Sequence, residues 1–382
     1  MKLLINRHIH KSSSERRATW LELFFDLVAV VAISRLGLLL HEDASIMGVL
    51  VFAGLLIVVW WVWISYSYVA DIFDNDSPFD RFVQFTGMVG LAIIALSLPV
   101  GQTADPLLFA RANAGLFIFL GLVYFLSGRS EPEARELSYW YIAGSWTGAL
   151  LWVVSIFMDT PWRYYAWGTA VLANALISGP IAYARMRHAP RQDSHMPERF
   201  GLFLLIVLGE AILATINGIA DVHLNSAGII IGLTGFGIAA AIWWIYFDHF
   251  DSGLITKAIQ HGPDAQVRSF IYGYGHLLIY AAIVITGVGI ELAIERGGAA
   301  EPLIGIGIAG VMSGFLLTSA GRGQKINQLF VFLKALIALL GVLCAVCAFP
   351  AIWTCLLLVS SLLLLVQAES RFSSYSSPEK RI

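Results

Sequence analysis

The chain has 382 residues, of which 58% are hydrophobic and 13% are charged, and its formal net charge is -2. Soluble domains carry about 25% charged residues, so this composition excludes an ordinary soluble protein and indicates that lipid is the solvent. The slight negative charge also argues against nucleic acid as a partner. We therefore expect the lipid bilayer to be the main partner of this chain.

Twelve apolar windows are long enough to cross a bilayer, which requires about 20 mostly apolar residues. Only helices satisfy every backbone hydrogen bond within one segment, and no window alternates as a barrel strand would. The sequence therefore predicts an all-α, polytopic transmembrane bundle of about twelve helices. The windows fall at 19–40, 45–69, 81–99, 107–127, 137–157, 163–184, 200–220, 226–248, 270–294, 302–319, 328–347 and 350–367.

The first window begins near Thr19 after a basic stretch, an order that signal peptides share. We interpret it as a retained helix, because it carries Glu22, Asp26 and Arg35 and lacks a small-residue cleavage site. Glu22 and Asp26 are four residues apart and therefore share one helix face. If the helix begins near Arg17, Asp26 lies about 14 Å along it, close to the middle of a bilayer core of about 30 Å.

Aromatic residues crowd the predicted inner ends of the second and eighth helices. They are Trp60, Trp61, Trp63, Tyr66 and Tyr68 in the second helix and Trp243, Trp244, Tyr246 and Phe247 in the eighth. A cage for an organic cation is one interpretation. We favour an interfacial belt, because both clusters fall at the predicted level of the lipid headgroups.

Four aspartates follow the aromatic cluster of the second helix, namely Asp71, Asp74, Asp76 and Asp80. Their spacing does not match a D-x-D-x-D-G calcium loop. We therefore interpret them as a solvated turn that caps the next helix, and not as a metal site.

Later helices contribute further ionisable residues at membrane depth. Glu210 in the seventh helix reaches a depth similar to that of Asp26. His276 and Glu291, in the ninth helix, are about 22 Å apart along the helix axis and cannot touch each other. We expect His276 either to join a proton relay or to bond to a neighbouring helix. Glu291, near the outer end, is expected to be solvated or paired with Arg296.

Glycines cluster in two of the later helices. The tenth helix holds Gly305, Gly307, Gly310 and Gly314, and the eighth holds Gly228, Gly232, Gly235 and Gly237. Both sets include a G-x-x-x-G pair, a spacing that lets helix backbones approach closely. We therefore predict close helix contacts at these glycines. The sequence holds no Walker loop, dinucleotide fingerprint or H-E-x-x-H motif, and we expect no metal and no cofactor.

The distribution of basic residues predicts the orientation, because cytoplasmic loops carry an excess of Lys and Arg. With the N-terminus inside, nineteen of the 24 Lys and Arg residues fall in cytoplasmic segments. The outer segments hold only Arg111, Arg163 and Arg296. Both termini are therefore predicted to be cytoplasmic.

The two halves of the sequence show four correspondences at nearly one offset, between 183 and 187 positions. These are Glu15-Arg16 with Glu198-Arg199, Asp26 with Glu210, Trp60-Trp61 with Trp243-Trp244, and Arg81 with Arg268. They predict a tandem repeat of two six-helix halves, residues 1–192 and 193–382. An even number of helices per half would relate them by an axis along the membrane normal.

Two interpretations of the buried acids remain open. A charge inside the bilayer costs about 2.5–3.5 kcal/mol, so such residues usually face protein or water. In the functional interpretation the acids form a proton or cation site, since desolvation and a second acid nearby favour proton exchange near neutral pH. In the structural interpretation each acid pairs with Arg35, Arg16 or Arg199, or caps a helix, and fixes the packing.

The segment Arg17-Ala-Thr-Trp-Leu-Glu-Leu-Phe-Phe-Asp-Leu27 resembles the opening signature of the low-temperature-requirement A family of bacterial membrane proteins. The resemblance continues in Glu198-Arg-Phe-Gly201, Leu208-Gly-Glu210, Trp243-Trp-Ile-Tyr-Phe-Asp248, His276 and Gly289-Ile-Glu291. It implies a polytopic bacterial membrane protein and transfers no catalytic residue. The matching positions make the candidate substrate- or ion-binding residues Glu22, Asp26, Glu210, Asp248, His276 and Glu291. The sequence departs from the pattern at Ala29 and Arg35, and Arg35 is predicted as an unusual partner either for Asp26 or for the outer end of the bundle.

The leading hypothesis is a proton-coupled secondary transporter or permease of the bacterial inner (plasma) membrane, with an acidic site between the two halves and no enzymatic turnover. Its solute would be an unknown small molecule or ion. One alternative is a membrane-embedded enzyme acting on lipid or isoprenoid groups, which would need a polar cluster at the interface and a metal. Another is a non-catalytic sensor or assembly factor, which predicts a sealed interior with paired acids.

Overall fold

The computed structural model describes residues 18–73, 77–98, 104–130, 132–182, 195–220, 226–248, 265–298, 301–322 and 327–376. Within these ranges the chain forms twelve α-helices and no strand, so the predicted all-α bundle is confirmed. The helices are α1 (Trp20–Glu42), α2 (Ile46–Phe73), α3 (Pro78–Ser97), α4 (Pro106–Ser130), α5 (Arg135–Ile156), α6 (Trp162–Leu176), α7 (Met196–Ala220), α8 (Ser226–Phe247), α9 (Ala265–Glu295), α10 (Pro302–Gly321), α11 (Gln328–Val346) and α12 (Ala351–Ser376).

Each predicted window coincides with one of these helices, and the differences lie at the ends. Helix α9 begins at Ala265, before its window, and α12 continues to Ser376, past its window. Both extensions consist mostly of polar residues. An apolar window therefore ends before the helix does, although the backbone hydrogen bonds of the helix continue. Helix α6 ends early, at Leu176, and passes into a π-helical turn that contains Pro180. Proline lacks the backbone N–H that a regular helix would use there.

By length and composition, ten of the twelve helices in the described ranges are able to cross a membrane, all except α5 and α6. Large apolar side chains on these helices stay exposed, for example Leu50, Val89 and Leu233, at 60–70%. Exposed leucine and valine on long apolar helices are expected where lipid replaces water as the solvent. The fold is therefore that of a multi-pass membrane protein.

The described chain divides into two compact units. The first comprises the described parts of Met1–Leu39 and Leu50–Arg199, where α4 packs against α3 and α5, and α5 packs against α6. The second comprises Leu40–Val49 and the described parts of Phe200–Ile382, where α9 packs against α8 and α10, and α12 packs against α8 and α11. The tandem repeat of residues 1–192 and 193–382 stays a prediction.

The glycines of α10 lie at close helix contacts, as predicted. A Cβ atom added to Gly305 would lie 2.2 Å from the carbonyl oxygen of Gly341 in α11. One added to Gly307 would lie 2.1 Å from the Thr286 hydroxyl oxygen in α9. Backbones that approach this closely leave no room for a side chain, which explains the residue type at these positions.

Candidate functional site

Five charged side chains are enclosed together in the first unit. Helix α1 contributes Glu22 and Asp26, α2 contributes Asp71, and the segment that opens α7 contributes His195 and Arg199. The residues Glu22, Asp26 and Arg199 are 0% exposed, His195 is 4% exposed and Asp71 is 8% exposed. We call these five residues the charged cluster.

The core of the charged cluster is formed by two acids that meet two bases in register. Glu22 and Asp26 are four residues apart, and so are His195 and Arg199. The His195 Nε2 atom lies 2.9 Å from Glu22 Oε1, and Arg199 Nη2 donates to Asp26 Oδ1 at 2.6 Å. Positions four apart lie on one helix face, so the two pairs form successively along α1. Arg199 Nη1 also lies 3.8 Å from Glu22 Oε1, which connects the two pairs.

Neighbouring groups hold the two pairs in place. The Trp63 indole N–H donates to Asp26 Oδ1 at 2.7 Å, and the Arg199 guanidinium lies 5.8 Å from the centre of the same indole ring. The backbone N–H of Thr19 donates to Glu22 Oε2 at 2.7 Å. Arg199, which is 0% exposed, therefore gains a hydrogen bond to a charged group and a cation–π contact.

His195 bridges two carboxylates. Its Nδ1 atom lies 2.7 Å from Asp71 Oδ1, and its backbone N–H donates to the same oxygen at 3.1 Å. Burial opposes protonation of the ring, but the hydrogen bonds and charges of Asp71 and Glu22 outweigh burial and raise the pKa of His195 to about 9. The side chain is therefore an imidazolium at neutral pH, with one carboxylate facing each ring nitrogen.

Stability is expected to fall as pH rises through the pKa of His195. The folded-state pKa of about 9 exceeds the unfolded value of about 6.5, so the stabilisation is fully present below pH 6.5 and is lost as pH rises through 9. We expect the free energy of unfolding to fall by on the order of 3 kcal/mol between these limits. Unfolding of the detergent-solubilised chain between pH 6 and 10 measures this change. The variant His195→Gln is the control and should lose the slope; equal slopes in both proteins would contradict the assignment.

The hydrogen-bonding capacity of the charged cluster is not fully used. Among the described residues, Asp26 Oδ2 and the Arg199 atoms Nε and Nη1 have no hydrogen-bond partner, although all three are buried. Buried polar atoms in proteins are nearly always hydrogen-bonded, to protein or to ordered water. This site is therefore chemically able to bind water or a small polar group beside the Asp26–Arg199 pair.

The structure brings together only two of the six predicted site residues, Glu22 and Asp26. The partner of Asp26 is Arg199, which the structural interpretation named as one candidate. Arg35, which was also predicted as a partner of Asp26, is partly exposed on α1. Glu210 lies halfway along α7 in the second unit and is partly exposed. Asp248 is exposed just after the end of α8.

His276 is enclosed in the second unit and bonds to its neighbours, which was one of its two predicted roles. Its Nδ1 atom lies 2.7 Å from the Tyr272 carbonyl oxygen, which can only accept, so Nδ1 carries the proton. Its Nε2 atom lies 2.8 Å from the Tyr246 hydroxyl oxygen and, in a neutral imidazole, accepts from that hydroxyl. Phe200 stacks on the ring with the centroids 4.7 Å apart. These contacts engage both ring nitrogens.

Near the outer end of α9, the predicted partner of Glu291 bonds elsewhere. Arg296 forms an ion pair with Glu301, the residue that precedes α10. Glu291 is 9% exposed and lies close to His41 and Glu295.

Three members of the site were missed or misread in the sequence. Asp71 is buried within α2, so its assignment to a solvated turn is wrong, whereas Asp80 does cap α3 together with Ser77. The other two aspartates of that set, Asp74 and Asp76, lie outside the described residues. Trp63 is 0% exposed, so the interfacial belt is wrong for this residue. Trp243 and Trp244, at 47% exposure each, remain compatible with a belt.

His195 was not singled out in the sequence, although a usable signal exists. The spacing of His195 and Arg199 repeats the spacing of Glu22 and Asp26. Two bases four apart at the start of one helix and two acids four apart in another helix form a complementary pattern.

Comparisons with known proteins support the architecture and add no activity. The model of the family described as "Bacterial low temperature requirement A protein (LtrA)" matches residues 17–367, nearly the whole chain. An uncharacterized protein of Rhizobium meliloti (strain 1021) is 28% identical over 308 residues, which covers 77% of this chain and 74% of that protein. No solved structure matches.

Proposed function

The chain belongs to the bacterial low-temperature-requirement A family, and from this premise we propose that it is a proton-coupled secondary transporter. It would act in the bacterial inner membrane with both termini in the cytoplasm, as the basic residues predict. Its solute is a small molecule or ion of unknown identity. The ten apolar helices support a membrane role, and the placement of one acid supports transport.

The observation that carries this proposal is the environment of Glu210. It lies two residues past the midpoint of the 25-residue helix α7, and its side chain is partly exposed. Among the described residues it has no hydrogen bond and no ion pair. A carboxylate at this depth costs about 2.5–3.5 kcal/mol in lipid, so such residues usually face a hydrated path or a bound ion.

The side of α7 beside Glu210 is not covered by other described residues. A Cβ atom added to the preceding residue, Gly209, would meet no atom within 4 Å. Leu205, Leu213 and Ile216 are 39–55% exposed on the same helix. An acid beside such an uncovered face can take up and release a proton or cation without breaking an ion pair.

Asp26 has a different role in this proposal. Its carboxylate accepts hydrogen bonds from Arg199 and Trp63 and is completely buried. Protonating it would remove the negative charge that Arg199 Nη2 contacts at 2.6 Å, and the guanidinium would keep only the more distant Glu22 carboxylate, 3.8 Å away. We therefore assign proton exchange to Glu210 and assign to the charged cluster the task of holding α1, α2 and the start of α7 together.

Reconstitution of the full chain into liposomes tests the proposal. Proton movement is measured with the internal dye pyranine under a potassium–valinomycin potential, first alone and then with panels of amino acids, sugars and polyamines. We expect Glu210→Gln to reduce proton movement at least tenfold. Asp159→Asn, which removes an exposed acid, is the matched control and should leave proton movement unchanged. The mechanism would be refuted if proton flux were no greater than in protein-free liposomes under every condition. It would also be refuted if Glu210→Gln and the unaltered chain showed equal flux.

The charged cluster also favours a second candidate function, a sensor or assembly factor without turnover. That hypothesis predicts enclosed, paired acids, and Glu22 and Asp26 have this arrangement. It would be supported if the liposomes showed no flux while growth of the host in the cold still required the chain. The hypothesis of an enzyme acting on lipid or isoprenoid groups stays a prediction.

A further inference from the structure

Three side chains with metal-binding atoms meet at the C-terminal ends of α1 and α9. His41 is the second-last residue of α1, Glu295 is the last residue of α9, and Glu291 lies one turn earlier on the same face. One ligand atom from each side chain lies within 4.8 Å of the other two. The His41 Nε2 atom is 3.1 Å from both carboxylate oxygens of Glu295. All three residues belong to the second unit.

We propose that His41, Glu291 and Glu295 form a binding site for one divalent transition-metal cation, of the Zn²⁺ or Mn²⁺ class. Zinc binds imidazole nitrogen and carboxylate oxygen at about 2.0–2.2 Å, so two ligand atoms on one ion lie roughly 3–4 Å apart. The separation of His41 Nε2 and Glu295 Oε1, 3.1 Å, lies in that range, and a ligand atom of Glu291 lies within 4.8 Å of both. An imidazole among the ligands favours transition metals over Mg²⁺ and Ca²⁺, which prefer oxygen alone.

The electrostatic environment favours a cation independently of the side-chain geometry. The C-terminal end of a helix carries about -0.5 elementary charge, and α1 and α9 both end here. The two carboxylates add to this negative potential. The helix ends and the two carboxylates therefore favour a cation over an anion at this point.

The burial of the three residues suits a site that is open on one side. Glu291 is 9% exposed. A Cβ atom added to Gly218 of α7 would lie 3.1 Å from the Cα atom of Glu291, so the backbone of Glu291 is closely packed. The side chains of His41 and Glu295 are 29% and 27% exposed, so an ion can reach them from solution. Three protein ligands leave at least one coordination position for water or a further ligand.

Metal binding would replace the hydrogen-bond contact between His41 and Glu295, in which Nε2 lies 3.1 Å from both carboxylate oxygens. A bound ion takes the Nε2 lone pair, so the proton of the neutral imidazole resides on Nδ1 and the carboxylate binds the ion directly. The ion would connect the end of α1 to α9. This proposal does not depend on proton exchange at Glu210.

Calorimetric titration of the full chain in detergent, after dialysis against EDTA, tests the site with ZnCl₂, MnCl₂ and MgCl₂ as probes. We expect one Zn²⁺ or Mn²⁺ per chain, with Mg²⁺ at least tenfold weaker. His41→Gln and Glu295→Gln should each weaken Zn²⁺ binding at least tenfold. Asp43→Asn is the matched control, because it removes an exposed acid two residues from His41 that is not one of the three ligands. The affinity of Asp43→Asn for Zn²⁺ should equal that of the unaltered chain.

Thermal unfolding without metal, measured for every variant, separates loss of a ligand from loss of the fold. X-ray absorption at the zinc edge should show nitrogen and oxygen ligands that include one imidazole. Absence of one-to-one binding, equal affinity in both ligand variants, or sulfur ligands at the zinc would each overturn the proposal.

Discussion

Replacing Arg199 with alanine is expected to lower the free energy of unfolding by about 3–5 kcal/mol, because removing one partner of a buried ion pair leaves the other charge uncompensated. Asp26 would keep its hydrogen bond from Trp63 and lose its only charged hydrogen-bond donor among the described residues. Glu22 would lose the same guanidinium, 3.8 Å away. Thermal or denaturant unfolding of the detergent-solubilised chain measures the change.

Two further variants show whether the effect belongs to the ion pair. Arg111→Ala removes an exposed arginine from α4 and should change stability by less than about 0.5 kcal/mol. The double variant Asp26→Leu/Arg199→Met replaces both charges with apolar side chains and should lose less stability than Arg199→Ala, since such replacements are often neutral. If Arg199→Ala were as mild as Arg111→Ala, the pair would not hold the fold, and Asp26 would again be a candidate for proton exchange.

The number and position of the helices could be predicted because lipid leaves few alternatives. A segment of about twenty apolar residues in a bilayer must satisfy its backbone internally, so apolar length alone identifies a helix. The ends could not be predicted in the same way, as α12 shows. Its last turns, from Gln367 onward, are polar and leave the apolar window while the helix continues to Ser376.

The presence of Asp26 inside the first helix could be predicted, but its partner could not be selected. Because α1 begins at Trp20, Asp26 lies about 9 Å along it, and not the roughly 14 Å expected from a start near Arg17. The choice among Arg16, Arg35 and Arg199 depends on which helix packs beside α1, and the pair that forms is separated by 173 residues. Hydropathy contains no information on that neighbour. The matched four-residue spacings of the acids and bases do contain it.

The error for Trp63 has a physical origin in the length of α2. The apolar window ends near residue 69, which suggested that the aromatic cluster lies at the headgroups. The helix in fact continues to Phe73, so Trp63 lies about 15 Å from its end along the axis. Asp71 belongs to the same extension, and its carboxylate is buried because His195 bonds to it. A polar residue near a helix end is therefore not always solvated.

Alanine at Gly305 is expected to destabilise the second unit by about 1–3 kcal/mol, because overpacking forces the backbone to shift. Helices α10 and α11 touch through their backbones at this point. A Cβ atom on Gly305 would lie 2.2 Å from the Gly341 carbonyl oxygen, and one on Gly341 would lie 2.5 Å from the Gly305 carbonyl oxygen. Neither contact involves the end of a flexible side chain, so relief requires the two helices to separate.

Gly115 in α4 provides the matched control, because a Cβ atom there would meet nothing within 4 Å. Alanine in a helix interior is favoured over glycine by about 0.5–1 kcal/mol, so Gly115→Ala should be neutral or stabilising. The same substitution should thus have opposite signs at the two positions, in unfolding measurements on one preparation of detergent-solubilised protein. The sign at Gly305 depends only on the approach of α11, since helix propensity favours alanine at both sites. A stabilising effect of Gly305→Ala would mean that α10 and α11 do not pack backbone to backbone, and the close contact described above would be wrong.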